Sequence, residues 1–256
     1  VKEIDSFIQV DPNYNDNPTE KTIVKIIQDE YAIYIGAKLF DDNPELIAQK
    51  YVDRDDFAKL SKSDWFSIAI DGYHDHQTGY EFIVNAAGVQ FDSWLFDDTN
   101  EEMNWDGVWE AMVSIDDESW NIEIRIPFSS LRFSNFGEES IWGINIKRYI
   151  HRKNEDIHWV VIPKGIDANV SAFGHLKNIQ DIENETMFEL VPYISMGQKT
   201  YKDILLMDNN KYKPGHYSYD TTYYYPKVGL DMKIHLSNNT ILDFTTFPDF
   251  GQIEAD

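Results

Sequence analysis

The sequence predicts an all-β chain: an antiparallel β-sandwich over residues 1–180, then a second group of strands over 181–256. Three observations predict it. Residues 120–127, WNIEIRIP, alternate Trp120, Ile122, Ile124 and Ile126 with Asn121, Glu123 and Arg125, the period-two mark of a strand with one buried face. Comparable runs recur at the interval of a sandwich, separated by turn residues. After about Asp181 the composition shifts to aromatic-rich strands.

The first hairpin pairs 22–27 with 31–40 around the turn Gln28-Asp29-Glu30. A helical period appears only over 43–60. Strands follow at 65–70, 79–86, 109–115, 120–126, 142–149 and 157–162, and the stretch from Trp94 to Trp109 reads as a loop. Pro127 ends its strand because it has no N–H to donate. Ser129 and Ser130 then turn the chain and cap a short helical turn holding Leu131. Beyond 181, strands are expected at 188–196 and 223–234, separated by a polar insert over 197–221. A last strand at 240–246 leads into FPDFGQIEAD. Three such strands leave open edges. Alone they bury too little apolar surface to offset an ordering entropy of about 1–2 kcal/mol per residue. They are expected to belong to a larger closed sheet or to pack on the sandwich.

The chain carries 45 acidic against 22 basic residues, a formal net charge of −23. That disfavours nucleic acid, whose binding rests on Lys and Arg neutralising phosphate. It equally disfavours anionic membrane surfaces and anionic polysaccharides, and it suits a soluble secreted or surface protein. No cysteine is present, so there is no disulfide frame, thiolate metal site or thiol nucleophile. The first residues, VKEIDSF, lack the apolar core of a signal peptide. No apolar run approaches the ~20 residues of a membrane helix.

Between Lys62 and Arg125 there is no Lys or Arg, whereas fifteen Asp or Glu and the tryptophans Trp65, Trp94, Trp105, Trp109 and Trp120 fall there. Sugar recognition needs flat apolar faces and planar polar side chains, which Trp and Tyr, and Asp, Glu, Asn and Gln, supply. Strand alternation puts Trp109 and Trp120 in the core. Trp94 and Trp105 are the platform candidates, with Asp97, Asp98, Asn100 and Asn104 beside them. His74 and His76 flank Asp75 and, with Asp71 or Asp75, are a candidate transition-metal pair lacking a firm third ligand. The oxygen-rich loops Asp41-Asp42-Asn43, 53–56 and Asp97-Asp98 make calcium the possible ion, although the EF-hand spacing is absent. Arg125, Arg132, Arg148 and Arg152 face so many carboxylates that structural ion pairs are expected. No phosphate loop, nucleophile elbow or zinc-protease motif occurs. No carboxylate pair is set apart for glycoside cleavage, so a binding role is expected rather than an enzyme.

The Ile-Pro-Phe stop and Ser-Ser-Leu corner at 126–131 resemble a hallmark of the family 9 carbohydrate-binding modules. The stretch QDEYAIYIGAKLFDDNPE resembles the same family. WGINIKRYIHRKNE, SAFGHL, FELVPY, VGLDMKIHLSNNTILDF and FPDFGQIEAD are similar to Gram-negative outer-membrane proteins of unassigned function, which carry a family 9-like module before a β-barrel. The resemblance implies a sandwich followed by the first strands of such a barrel. It also implies non-catalytic binding of a neutral oligo- or polysaccharide at the cell envelope, in glycan capture or uptake, in the periplasm or at the outer membrane or cell surface. It places ligand contacts on the 71–79 loop, making Asp71, Tyr73, Asp75 and Tyr80 the polar candidates. Where relatives use an arginine on the following strand, this chain has Ile83. Three alternatives stand beside this reading: an assembly or plug module of the barrel that binds protein in the periplasm, a glycoside hydrolase accessory, and a haem domain using Met112 with His74 or His76.

Overall fold

The computed structural model describes residues 3–134, 140–180, 182, 188–204, 218–237 and 240–246. It divides into two compact units, Val1–Glu185 and Thr186–Asp256; the expected break lay after residue 180. The first unit runs β1 (Glu3–Ile4), β2 (Ile8–Asp11), β3 (Thr22–Gln28), β4 (Ala32–Phe40), α1 (Phe57–Leu60), β5 (Trp65–Asp71), β6 (Gly79–Asn85), β7 (Gln90–Phe96), β8 (Asn100–Glu102), β9 (Glu110–Ile115), β10 (Ser119–Pro127), β11 (Ser140–Ile150), β12 (Glu155–His158) and β13 (Gly174–Ile179). One sheet has the order β1-β3-β4-β10-β9. The other has the order β2-β12-β11-β5-β6-β7-β8, with β13 also paired to β11.

The two sheets pack face to face. Ile33, Ile35 and Leu39 of β4 and Trp120, Ile122, Ile124 and Ile126 of β10 meet Phe66, Ile68, Ile70, Phe82, Val84, Trp142, Ile144 and Ile146 in one apolar core. Alternation does this work: β10 buries every even residue from Trp120 and leaves Glu123 exposed. The five-stranded sheet is open to water on its other side, whereas every residue of β6 is buried. The far face of the larger sheet is covered at one end by Leu60 on Ile83 and Phe91, and at the other by Val170 and Phe173 on Ala69 and Leu95. Arg148, almost fully buried, ties the sheets together: it donates to the carbonyls of Lys21 (3.1 Å) and Phe40 (2.7 Å) and to Thr22 Oγ1 (3.1 Å). Burial draws its guanidinium down to about 10, still charged at neutral pH.

Several expectations need correction. The helix over 43–60 is only a 3-10 turn, Pro44–Leu46, and α1. Between them the backbone finds distant partners instead of its own carbonyls: Lys50 N–H donates to Ser63 Oγ, and Asn85 Nδ2 donates to Lys50 O. The strand expected at 157–162 stops at His158, because Asn145 occupies both the amide and the carbonyl of Val160 with its side chain. The stretch from Trp94 to Trp109 is no simple loop, since β7 and β8 form a hairpin within it. Asp97 and Asp98 turn it with φ of 48° and 67°, a region Asp tolerates.

The second unit is a three-stranded antiparallel sheet of β14 (Phe188–Ile204), β15 (Ser218–Ser237) and β16 (Thr240–Thr246). The polar insert expected over 197–221 is strand at both its ends: pairing runs on unbroken from Gly197↔Tyr225 to Ile204↔Ser218. The rest of that insert and the terminal FPDFGQIEAD lie outside the described residues. Register puts Leu190, Pro192, Ile194, Met196, Tyr224, Pro226, Val228, Leu230, Met232, Leu242 and Phe244 on one face. That face is the open one: Ile194 is 79% and Val228 64% exposed. The opposite face carries Tyr193, Ser195 and Asp231. Tyr193 lies across Gly229, where a Cβ would stand 2.2 Å from its hydroxyl oxygen, and it donates to Thr246 O at 2.9 Å.

Candidate functional site

The β6–β7–β8 edge of the sandwich gathers aromatic side chains, Trp94 the exposed one among them, with exposed polar ones. Tyr80↔Trp94↔Glu102 are opposite one another in the register, and so are Phe96↔Asn100. These five therefore share one face. Trp94 is 37% exposed and stacks on Phe96, with ring centroids 5.0 Å apart and planes at 23°. Glu102 and Asn100 are exposed beside them. Glu102 Oε1 accepts the Asn104 amide at 3.0 Å, which fixes the start of the next segment. Trp105 follows, half-buried, its ring 4.6 Å from that of Tyr80 and 5.9 Å from that of Phe82. Its indole folds over Gly107, where a Cβ would stand 2.6 Å from Cη2.

One carboxylate holds this segment in place. Asp92 is fully buried. It accepts the Gly107 amide at 2.5 Å, the Trp109 indole N–H at 3.0 Å and an Arg54 guanidinium N–H at 2.7 Å. Arg54 also donates to Asp106 and to the Gly107 carbonyl. Trp109, so pinned, packs edge-on against Phe82 in the core.

The candidates on the loop between β5 and β6 take different places. Asp71 is fully buried and accepts the backbone amides of Asp75 (3.3 Å) and His76 (3.0 Å). Burial pushes its carboxyl above the usual range. Asp75 is exposed and accepts the Gln77 amide and both the amide and the hydroxyl of Thr78, building the turn. Tyr73 is half-buried. Tyr80 is buried, and burial pushes its phenol up to about 12. The Ser-Ser-Leu corner supports this loop from below: a Cβ on Gly72 would strike the Arg132 carbonyl at 2.7 Å. Asp97 is exposed at the β7–β8 turn. Its neighbour Asp98 accepts the Asn169 amide and the amide and hydroxyl of Ser171. Asn104 is exposed. The exposed candidates Trp94, Asn104 and Asp97 thus belong to the β7–β8 edge, joined there by half-buried Trp105 and supported by buried Tyr80, whereas Asp71 is turned to its own loop and β11.

His74 has the rings of His76 and His175 at 4.5 and 5.1 Å, so a third imidazole, from β13, joins the expected pair. Among the described residues, however, no group of three or more His, Asp or Glu is arranged to hold a metal ion. Asp41, Asp56 and Asp98, one from each oxygen-rich loop, are engaged by Arg152, by the α1 amide of Lys59 and by Ser171 respectively. Met112 is exposed on edge strand β9 of the other sheet from the histidines. On the far face of the larger sheet, Lys147 pairs with buried Glu81 at 3.0 Å, and Ser67 Oγ donates to the same oxygen at 2.8 Å.

Three contributors escaped the sequence reading: Phe96, Glu102 and Asp92. The signal for Phe96 was present, since Trp94 and Phe96 stand two apart on a strand that was read as loop. Nothing in the sequence marks Asp92 as the acceptor that orients Trp105 and Trp109.

No protein-family model matches the chain, and no curated protein matches it. Among solved structures it is similar to a proposed carbohydrate-binding protein from Bacteroides uniformis, with 14% identity and a TM-score of 0.53, over 68% of this chain and 86% of that one. It also aligns with a family 9 carbohydrate-binding module from Caldicellulosiruptor kristjanssonii in complex with cellotriose, with 14% identity and a TM-score of 0.49, over 69% and 82%. At such identity the first likeness is one of fold alone, a two-sheet antiparallel β-sandwich.

Proposed function

We propose that the sandwich is a non-catalytic module that binds a neutral glycan at the envelope of a Gram-negative bacterium. The observation that carries this reading is the Trp94–Phe96 stack on an exposed hairpin edge, flanked by Glu102 and Asn100, with Trp105 held nearby. A pyranose presents C–H faces to such a strip and hydroxyls to the flanking planar groups. No Lys or Arg occurs from Ser63 to Ile124, so the strand and loop that build the strip offer no cation to an anionic sugar. The fold likeness to a proposed carbohydrate-binding protein agrees with this. Calorimetry of the whole chain with cellotriose, then with a panel of neutral oligosaccharides, tests it. Binding by the wild type and at least a tenfold loss in Trp94→Ala is the expected result. A panel with no binder, or unchanged affinity in Trp94→Ala, overturns it.

The second unit supports the outer-membrane part of the proposal. Its apolar face is the exposed one and its polar face the more sheltered one, the inverse of a sheet in water. This is the arrangement of strands in an outer-membrane barrel. We read β14–β16 as the opening strands of such a barrel.

A further inference from the structure

We infer that His74, His76 and His175 form an acid-released latch: as neutral rings they seat the 72–78 loop against β13, and as cations they let it go and loosen the β7–β8 turn with it. The latch belongs to the loop itself and does not depend on what the neighbouring edge binds.

The sheet register brings the parts together. Asp71 lies opposite Gly143, and Gly143 lies opposite His175, so β5, β11 and β13 contribute to one row on one face. Glycine keeps that row clear: a Cβ on Gly143 would stand 3.1 Å from the Asp71 Cβ and 3.4 Å from its Oδ2. From the loop that leaves Asp71, the His74 ring meets those of His76 and His175, with centroids at 4.5 and 5.1 Å.

This packing is sensitive to charge. The Nε2 of His74 is enclosed and has no hydrogen-bond partner among the described residues. A protonated imidazole carries N–H on both nitrogens, so protonation puts an unanswered donor there. The titratable groups that act on His74 are Asp71 from β5, His76 from its own loop and His175 from β13. Asp71 is the one anion of that set, and its two oxygens already accept the amides of Asp75 and His76. Asp75 is turned to Gln77 and Thr78. Burial first, then the two other imidazoles, hold the His74 ring below the ordinary 6.5, against the pull of Asp71. A ring that binds its proton more weakly when seated favours the seated loop fully above pH 6.5, and that preference is lost as pH falls from 6.5 toward the lowered value.

The loop can move, and it has something to move. His74 and His76 stand at φ of 52° and 61°, left-handed values that a side-chain-bearing residue keeps only while its surroundings hold it. The near end is fixed, since the Ser134 amide donates to the Gly72 carbonyl at 3.2 Å. The far part passes motion on: the Gln77 carbonyl accepts the Asp98 amide at 2.9 Å, and Asp98 turns the hairpin that carries Trp94 and Phe96.

The absence of cysteine lets a spin label report on one place at a time. In the whole chain, Gln77→Cys, Thr99→Cys and Asp117→Cys put the label on the loop, on the β7–β8 turn and on the β9–β10 turn of the other sheet. Between about pH 7.5 and pH 5, the first two labels should gain mobility about twofold with a shared midpoint in the imidazole range, while the third stays unchanged. His175→Gln should lower that midpoint by about half a pH unit, and His76→Gln combined with His175→Gln should remove the transition. His151→Gln, a histidine outside the cluster, should leave it in place. No transition at Gln77→Cys, or one that ignores both the single and the double histidine variant, overturns the latch. An equal response of all three labels also overturns it, since that is unfolding of the sandwich. A response at Gln77→Cys without one at Thr99→Cys overturns the tie to the β7–β8 turn.

Discussion

Replacing Asp92 with alanine should both destabilise the sandwich and loosen the edge on which Trp105 sits. The carboxylate serves three donors. Two of them, the Gly107 amide and the Trp109 indole N–H, belong to buried residues, and a buried donor left without an acceptor costs about 1–3 kcal/mol. Arg54 is 40% exposed and keeps Asp106, so its loss adds only about 0–1 kcal/mol. The expected cost is therefore about 3–5 kcal/mol. Asp92→Asn retains a carbonyl oxygen but turns an N–H₂ toward the other donors, and it should lose roughly half as much. Urea unfolding of the whole chain, followed through the sandwich tryptophans, gives the number. Native-state fluorescence should shift to the red as Trp109 and Trp105 gain water. A loss below about 1 kcal/mol with an unchanged spectrum would refute the claim that this carboxylate organises the edge.

Further outcomes follow from the same contacts. Arg148→Met should cost about 3–5 kcal/mol in urea unfolding, because two carbonyls and a hydroxyl that link the sheets lose their donor. Burial opposes the Glu81 charge, but Lys147, the Ser67 hydroxyl and His158 bring its carboxyl below the ordinary 4.5. A depressed folded value means stability present above 4.5 and lost as pH falls below it, so wild-type stability should decline below pH 4.5 more steeply than that of Glu81→Gln. Glycan affinity should change less than about twofold between low and high salt, because a neutral ligand is indifferent to a Debye length of about 8 Å; a steep fall would point to a charged ligand.

The fold was largely legible because its strands advertise themselves by alternation. The 120–126 run forms a strand with one buried face as the pattern requires, paired on both sides by β4 and β9, and Trp109 and Trp120 are core. The failures share one cause, which is long-range partners. Residues 47–56 have helical spacing, yet Ser63, Asp64 and Asn85 take their backbone groups. Residues 90–96 do not alternate cleanly because β7 is buried on both faces along half its length, so a strand bearing Trp94 looked like loop. Of the candidate site, the sequence singles out the aromatic members Trp94 and Trp105 most clearly. Asp71 and Asp75 are ligand candidates by the resemblance of their loop, but Asp71 is closed off by the amides of that loop. Whether a carboxylate faces solvent depends on the φ of its neighbours, and His74 and His76 adopt 52° and 61° here.

On the barrel reading proposed above the two units meet different solvents, and their burial patterns can be compared on that basis. In β10 the apolar residues are the hidden ones, as water requires. In β14 the sequence alternates just as cleanly, but Ile194 and Met196 are among the most exposed side chains described, whereas Tyr193 and Ser195 are sheltered. A sheet made for water would cover the face that carries Leu190, Ile194, Met196, Val228 and Phe244. Instead Gly229 leaves room for Tyr193 to lie across it on the polar side, where its hydroxyl reaches the Thr246 carbonyl. Substituting Gly229 with valine would force Tyr193 off this surface, where a Cβ already meets its ring at 2.0 Å. The expected outcome is failure of the full-length protein to reach the outer-membrane fraction, with glycan binding by the sandwich intact. Normal membrane assembly of Gly229→Val would mean that the seating of Tyr193 on Gly229 is not what builds the sheet.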